Sequence, residues 1–407
     1  MKNLTVSLLF LIIVSLILHS CRSTCDKTIY YYAKIPVYGS LEAIRSGFEV
    51  IPNQPMDTIE KIVELENAYF LEEKGKGVHV VEKSSTGIPK RIAFISVPGC
   101  LSIEAFGEHL FIAQATDVIV VDVGDLVNIE KVSVVKNLYN QSYVKQDSFI
   151  VGYTERYVER VLEDTDCGDS YIYPERTAEA FAASLPPHTD LRMESGSLLG
   201  CDSDNLRSFS FSAQGALHLR TTFGISLGQN DFARIGSTSE FVVVGSPVVN
   251  LALFNTNGGN LTRVTSTFVR SPFTCGRFFL FKDAMLFADF EENSVARCNS
   301  INALFIQPIN SFAGSFVSFQ EFFTEPQYLS IQNTTMLLCD GSGGFGLYDI
   351  SAPEFFSKTS DLFDEITNIH SHRSILSEER ALVWGDDGLF YFNVKIPTSI
   401  KQIGKIE

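Results

Sequence analysis

The sequence predicts an all-β fold, a β-propeller of six or seven blades with mostly four antiparallel strands in each. Three observations carry this. Short apolar runs recur around turns that contain Gly or Asp, where positive φ is cheaply tolerated. Neighbouring copies are mostly spaced by about 40 to 50 residues, the length of a four-stranded blade. The aromatic residues are mainly phenylalanine (33) and tyrosine (14), which suit strands better than helix interiors. A blade cannot bury both faces alone, so several must pack radially, and closing the ring protects the sheet edges. That favours a propeller over a β-sandwich. A β-solenoid is the weaker rival, because its coils repeat at shorter intervals.

Composition bounds the function classes. The chain has 407 residues, 45% of them hydrophobic, which is enough for a sizeable core and argues against wholesale disorder. The formal net charge of −16 is spread along the chain and would repel a phosphate backbone, so nucleic acid is not an expected partner. The acidity reads as solubility of an exposed domain.

Residues 1–20 have a charged start at Lys2 and an apolar run from Leu4 to Leu18, too short for a comfortable transmembrane helix. The run ends on Leu18-His19-Ser20-Cys21, which resembles the lipobox of bacterial lipoproteins. The resemblance implies a lipoprotein signal peptide over 1–20, cleavage before Cys21, and acylation of its thiol and new amine with chains such as palmitate. Each buried methylene adds about 0.8 kcal/mol to membrane binding. Residues 21–27 then form a short tether, and 28–407 a single propeller domain, expected to be a monomer. Arg22 follows the cysteine, so nothing resembles an inner-membrane retention signal, and an outer-membrane location facing the periplasm or the surface is expected.

The other cysteines include no CxxC pair, so a zinc ribbon or thioredoxin-like site is unsupported. In an exported chain they read as disulfides, with at least one thiol left over. Cys275 with Cys298 and Cys167 with Cys201 are the expected couples, because each pair flanks one local excursion.

Thr28–Tyr38 reads as a strand and is expected to close the ring against Leu389–Val394. The repeat units follow at Ile59–Glu82, Leu101–Val123, Phe232–Phe254, a copy from Cys275 through Met285–Ala288, Met336–Pro353, and Ala381–Phe392. The gap between the second and third suggests one eroded blade, to which Gln214–Gly228 contributes. Residues 153–207 are charged and turn-rich, and read as an insertion on one face, either a binding loop or a tolerated one. Val118–Asp122 (VIVVD), with Gly77–Ser84 (GVHVVEKS) and Gly346–Ser351 (GLYDIS) as degenerate copies, resembles the motif of bacterial LVIVD-repeat proteins. With Cys21 in front, the chain is similar to LVIVD-repeat lipoproteins of Gram-negative bacteria. That resemblance implies a propeller-type domain and no established activity.

Few residues suggest chemistry. Gly341–Gly346 (GSGGFG) matches a dinucleotide fingerprint, but a strand-like run follows where a helix is required, so it reads as a hairpin turn. His370 and His372 sit two apart on a strand, so both rings share a face and either hold a metal at the channel, form its polar lining or lie at a surface edge. No third ligand is identifiable. Asp164, Asp166 and Asp169, and Asp202 with Asp204, resemble fragments of calcium loops without the full spacing. No catalytic set and no cofactor are implied. Two functions follow: a non-enzymatic binding or scaffold propeller in the cell envelope with a protein or glycan ligand, or a propeller hydrolase or lyase with its site at the central channel. The fold cannot choose between them.

In a Gram-negative host, Cys21→Ser is expected to move the protein from the membrane to soluble export fractions. Unchanged membrane association on fractionation would count against lipidation.

Overall fold

In most repeats the second and third strands are buried on both faces, as in Ala68–Glu73 with Gly77–Glu82 and His109–Gln114 with Asp117–Asp122, and this decides how the chain packs. The computed structural model describes residues 24–84, 87–139, 148–166, 190–194, 196–202, 205–225, 234–238, 240–245, 251–257, 260–264, 277–282, 284–289, 302–309 and 319–406. The chain divides into two compact units, one of residues 1–37 and 153–185, the other of 38–152 and 186–407.

The chain enters through β1 (Thr24–Ser40) and a short helix, α1 (Leu41–Ser46). Ser40 Oγ caps the helix by accepting the Ala43 N–H at 3.1 Å. The first sheet holds β2 (Glu49–Ile51), β3 (Ile59–Glu64), β4 (Ala68–Glu73), β5 (Gly77–Glu82) and β6 (Lys90–Ser96), with β2 added outside β6. The second holds β7 (Cys100–Phe106), β8 (His109–Gln114), β9 (Asp117–Asp122) and β10 (Glu130–Val135). After β11 (Ser148–Asp166), the third sheet is β12 (Asp190–Glu194), β13 (Ser197–Cys201), β14 (Asn205–Phe211) and β15 (Leu217–Gly224). The fourth is β16 (Arg234–Ser237), β17 (Phe241–Gly245), β18 (Leu251–Asn257) and β19 (Asn260–Arg263). The fifth is β20 (Arg277–Phe281), β21 (Ala284–Asp289), β22 (Ala303–Pro308) and β23 (Phe319–Phe322). The sixth is β24 (Tyr328–Gln332), β25 (Thr335–Cys339), β26 (Phe345–Asp349) and β27 (Leu362–Ile366). The seventh is β28 (Ser371–Leu376), β29 (Arg380–Gly385), β30 (Gly388–Asn393) and β31 (Lys401–Ile406).

The first strands of the seven sheets touch in a cycle: β3, β7, β12, β16, β20, β24, β28, and back to β3. Consecutive four-stranded antiparallel sheets joined in this way form a β-propeller. Burial grades outward from the axis. β4, β8 and β13 are buried along their whole length, whereas β10, β15 and β31 are mostly exposed. Apolar clusters fill the gaps between sheets, one uniting the first and second through Phe70, Val80, Ile103 and Ile112, another the sixth and seventh through Leu337, Phe345, Val383 and Phe392.

Ring closure differs from expectation. β1, which contains Thr28–Tyr38, pairs with β11 in a separate two-stranded ladder and not with Leu389–Val394. The last sheet is built wholly from 371–406 and packs on the first through side chains. Ile59, Ile62, Tyr69 and Leu71 meet Leu382, Trp384, Leu389 and Tyr391 in one cluster. Arg373 donates to the Glu60 carbonyl at 3.0 Å, and Ser377 Oγ to Glu64 Oε2 at 2.7 Å. A strand with no sheet edge to fill in the ring takes its hydrogen bonds from another edge instead.

The stretch expected as an insertion, 153–207, is divided. Its first part belongs with β11, and its last part supplies β12–β14 of the third sheet, which β15 from Gln214–Gly228 completes. Among the described residues no helix is long and apolar enough to cross a membrane.

The VIVVD-like runs have a common place. Gly77–Glu82, Val118–Asp122 and Phe345–Asp349 are third strands of their sheets, packed on both faces. In two of them the terminal acid closes the strand with a turn: Asp122 Oδ1 accepts the Gly124 N–H at 3.0 Å and Asp349 Oδ1 the Ser351 N–H at 2.8 Å. Asn393 of β30 does the same for Lys395 at 3.0 Å. Asp122 and Asp349 are thus strand-ending devices of the Asx-turn type.

Leu382 is fully buried at the seam between the first and last sheets. Leu382→Ala is expected to cost about 2–5 kcal/mol, read from the denaturant midpoint. A loss below about 1 kcal/mol would show that the seam is not packed as described.

Candidate functional site

The first strands enclose a cavity of about 510 Å³ on the ring axis. β3, β12, β16, β20, β24 and β28 supply its wall, with Phe279, Phe281 and Tyr328 presenting aromatic surface and Ser237, Ser330 and Ser374 presenting hydroxyls. The volume lies in the range of small-ligand sites. Most of its charged groups are already engaged. Lys61 Nζ donates to the Leu191 carbonyl at 2.6 Å and lies 3.4 Å from Asp190 Oδ1 and 3.5 Å from Glu104 Oε2. Burial pulls the Lys61 ammonium down, but the charges of Asp190 and Glu104 outweigh it and hold its pKa above the ordinary lysine value. Asp190 also accepts the Ser102 hydroxyl and the Leu191 and Ile235 N–H groups, each at 3.0 Å. Glu64 is held by Lys83 at 2.5 Å. Arg192 differs: its side chain is exposed to the cavity, its Nε donates to Ser237 Oγ at 3.2 Å, and among the described residues no carboxylate pairs with it.

The histidine pair lies at the entry end of β28, whereas the cavity wall takes Ser374–Leu376 from the same strand. The two rings do share a side, their centroids 4.8 Å apart. A bulge between Ser371 and Arg373 leaves His372 outside the regular pairing with β29 and turns it toward Asp386 in the β29–β30 turn. Asp386 contacts both rings, His370 Nδ1 at 2.7 Å and His372 Nε2 at 2.5 Å. Its carboxyl is held below the ordinary aspartate value, first by the His372 hydrogen bond. Glu325, just before β24, reaches His370 Nε2 at 3.2 Å, and Gln327 Oε1 reaches His372 Nδ1 at 2.7 Å. Two carboxylates and one amide oxygen thus surround the pair. The sequence marks Asp386 only as a turn residue and Glu325 not at all.

Asp340–Gly344 positions the acidic side of this cluster. β25 and β26 pair as a hairpin across it, so the GxGxxG match is a turn between strands. Gly341 has φ +51°, and a Cβ there would stand 2.2 Å from Glu325 Oε2. Glycine therefore admits the Glu325 carboxylate, which accepts the Ser342 N–H at 2.7 Å. That backbone hydrogen bond is the main reason the Glu325 pKa is lowered. Ser371 N–H donates to the Gly341 carbonyl at 3.0 Å, tying the turn to the strand that carries the histidines.

Of the other expected site residues, Cys21, Cys167, Cys275 and Cys298 lie outside the described residues. Cys201 is buried on β13. Cys100 and Cys339 are buried thiols without a disulfide. Asp202 is no calcium ligand in waiting: it pairs with Arg207 at 2.7 Å and accepts the Asn205 N–H at 2.7 Å.

No family model matches the chain, and no curated protein matches it. Among solved structures it is similar to a 6-phosphogluconolactonase candidate from Bacteroides fragilis, at 10% identity and TM-score 0.49, covering 84% of this chain and 86% of that one. It is also similar to a protein from Lactobacillus plantarum, at 10% identity and TM-score 0.48, over 84% and 95%. BamB from Moraxella catarrhalis follows at 10% identity and TM-score 0.42, over 87% and 97%. Likeness at this level says nothing of ligand or activity.

Lys61→Ala is expected to destabilise the ring by about 2–3 kcal/mol, because it leaves the Asp190 and Glu104 carboxylates without their cation. Urea unfolding measures it, and a neutral result would show that the two carboxylates are solvated.

Proposed function

We propose that the protein is a binding propeller held at a membrane through Cys21, and that its ligand seat is the axial cavity. The observation that carries this reading is the division of labour among the cavity's charges. Lys61, Asp190 and Glu64 are spent on contacts that hold the strands together, which leaves Arg192 as the cation presented to a guest. A guanidinium beside a serine hydroxyl, with aromatic rings opposite, suits an acidic sugar: the fork takes the carboxylate and the rings take the apolar face. An acidic glycan fits these groups better than a neutral one. Display from a membrane rests on the lipobox-like Leu18–Cys21 and agrees with a recognition role.

The alternative, a hydrolase or lyase in the channel, needs an acid and a base free to act on a bound substrate. Glu64 and Asp190 are the acids on the cavity wall, and both are engaged in contacts between strands.

The test uses the purified chain and a glucuronate-containing disaccharide, with its uncharged glucose counterpart as control. The acidic sugar is expected to raise the thermal midpoint, the neutral one to do so far less, and Arg192→Gln to abolish the difference. A shift that survives Arg192→Gln, or breakdown of the disaccharide during incubation, would overturn the reading.

A further inference from the structure

Two imidazoles and two carboxylates converge at one end of the sixth and seventh sheets. His370 meets a carboxylate oxygen with each nitrogen, Asp386 Oδ2 at 2.7 Å from Nδ1 and Glu325 Oε2 at 3.2 Å from Nε2. His372 also meets oxygen on both sides, Gln327 Oε1 at 2.7 Å from Nδ1 and Asp386 Oδ1 at 2.5 Å from Nε2. The two ring centroids are 4.8 Å apart. One cation placed between the inner atoms would be shared by both rings and the Asp386 carboxylate.

The geometry points to an open binding site for a divalent transition metal of the zinc type, with His370 Nδ1, His372 Nε2 and the Asp386 carboxylate as ligands. Inner and outer atoms are already sorted. Both inner nitrogens face Asp386. Both outer nitrogens are taken by oxygens that fix the ring orientation, Glu325 for His370 and Gln327 for His372. Metal-binding histidines are typically oriented in this way by a carboxylate or carbonyl behind the ring. The candidate ligand atoms lie within 4.8 Å of one another. Donors on one tetrahedral zinc at 2.0–2.1 Å stand about 3.3 Å apart, so entry of the ion moves the closest pairs by less than about 1 Å. Two imidazoles and one carboxylate suit zinc and its neighbours, whereas calcium and magnesium prefer all-oxygen shells. The three side chains are 37%, 24% and 59% exposed, so a fourth position opens to solvent for water or a ligand oxygen. Three protein ligands with one open position mark a site that can bind or polarise an exogenous group. The site stands apart from the cavity wall and does not rest on the sugar reading.

The experiment is calorimetric titration of the full chain, solubilised in detergent and stripped with chelator, with zinc chloride. One zinc per chain is expected. His372→Ala and Asp386→Asn should each weaken it by more than about 100-fold, and Glu325→Gln by about 10-fold to 100-fold. Exposed His218→Gln should leave it unchanged. Cobalt(II) gives a second readout on the unaltered chain: an intense four-coordinate visible spectrum supports the site, and the weak spectrum of the hydrated ion overturns it. No zinc uptake by the unaltered chain, or stoichiometric uptake by folded Asp386→Asn, would also overturn the proposal.

Discussion

Every sheet of the ring needs a neighbour on both faces, and the last must find the first. This constraint underlies the rest of the structure. Second and third strands such as Ala68–Glu73 and Asp117–Asp122 are apolar on both sides, so a sheet left at an open end would expose a whole apolar face. Here the seam is closed by Tyr69 and Leu71 against Leu382 and Trp384, with Arg373 and Ser377 bonding to Glu60 and Glu64 at the axis. Neither sheet lends a strand to the other. Closure rests on side-chain packing of the kind found between the other sheets, and the N-terminal strand is left to pair elsewhere.

Much of this was legible in the sequence, for a physical reason. A strand buried on both faces must be a nearly continuous apolar run, and the chain shows six such units at blade spacing. The third sheet was hard to see because its strands are weaker signals. β13 is only Ser197–Cys201, β14 alternates with serine and arginine, and β15 is exposed along most of its length. They also follow a charged stretch that reads as loop. The strand character of Thr28–Tyr38 was legible and its partner was not, since local composition says that a run is extended and not which edge it meets.

The candidate metal cluster divides in the same way. His370 and His372 are close in sequence, so their common side follows from strand periodicity. Asp386, Glu325 and Gln327 come from turns and strand entries of two sheets, and only the packing of those sheets brings them in. Asp122 and Asp349, the acids that end two of the third strands, are spent on closing turns. The candidate cluster collects at the bulge of β28 and beside the glycines of the β25–β26 turn.

The buried thiols have a consequence of their own. Cys100 opens β7 and Cys339 ends β25, both wholly shielded. Burial drives the Cys100 thiol well above its ordinary pKa and that of Cys339 up to about 11. At neutral pH neither offers much thiolate, and neither can be reached while the sheets stay packed. An alkylating reagent would therefore have to wait for the ring to breathe. Two well-separated blades carry their own clocks for opening, wound by the same packing that keeps the ring shut.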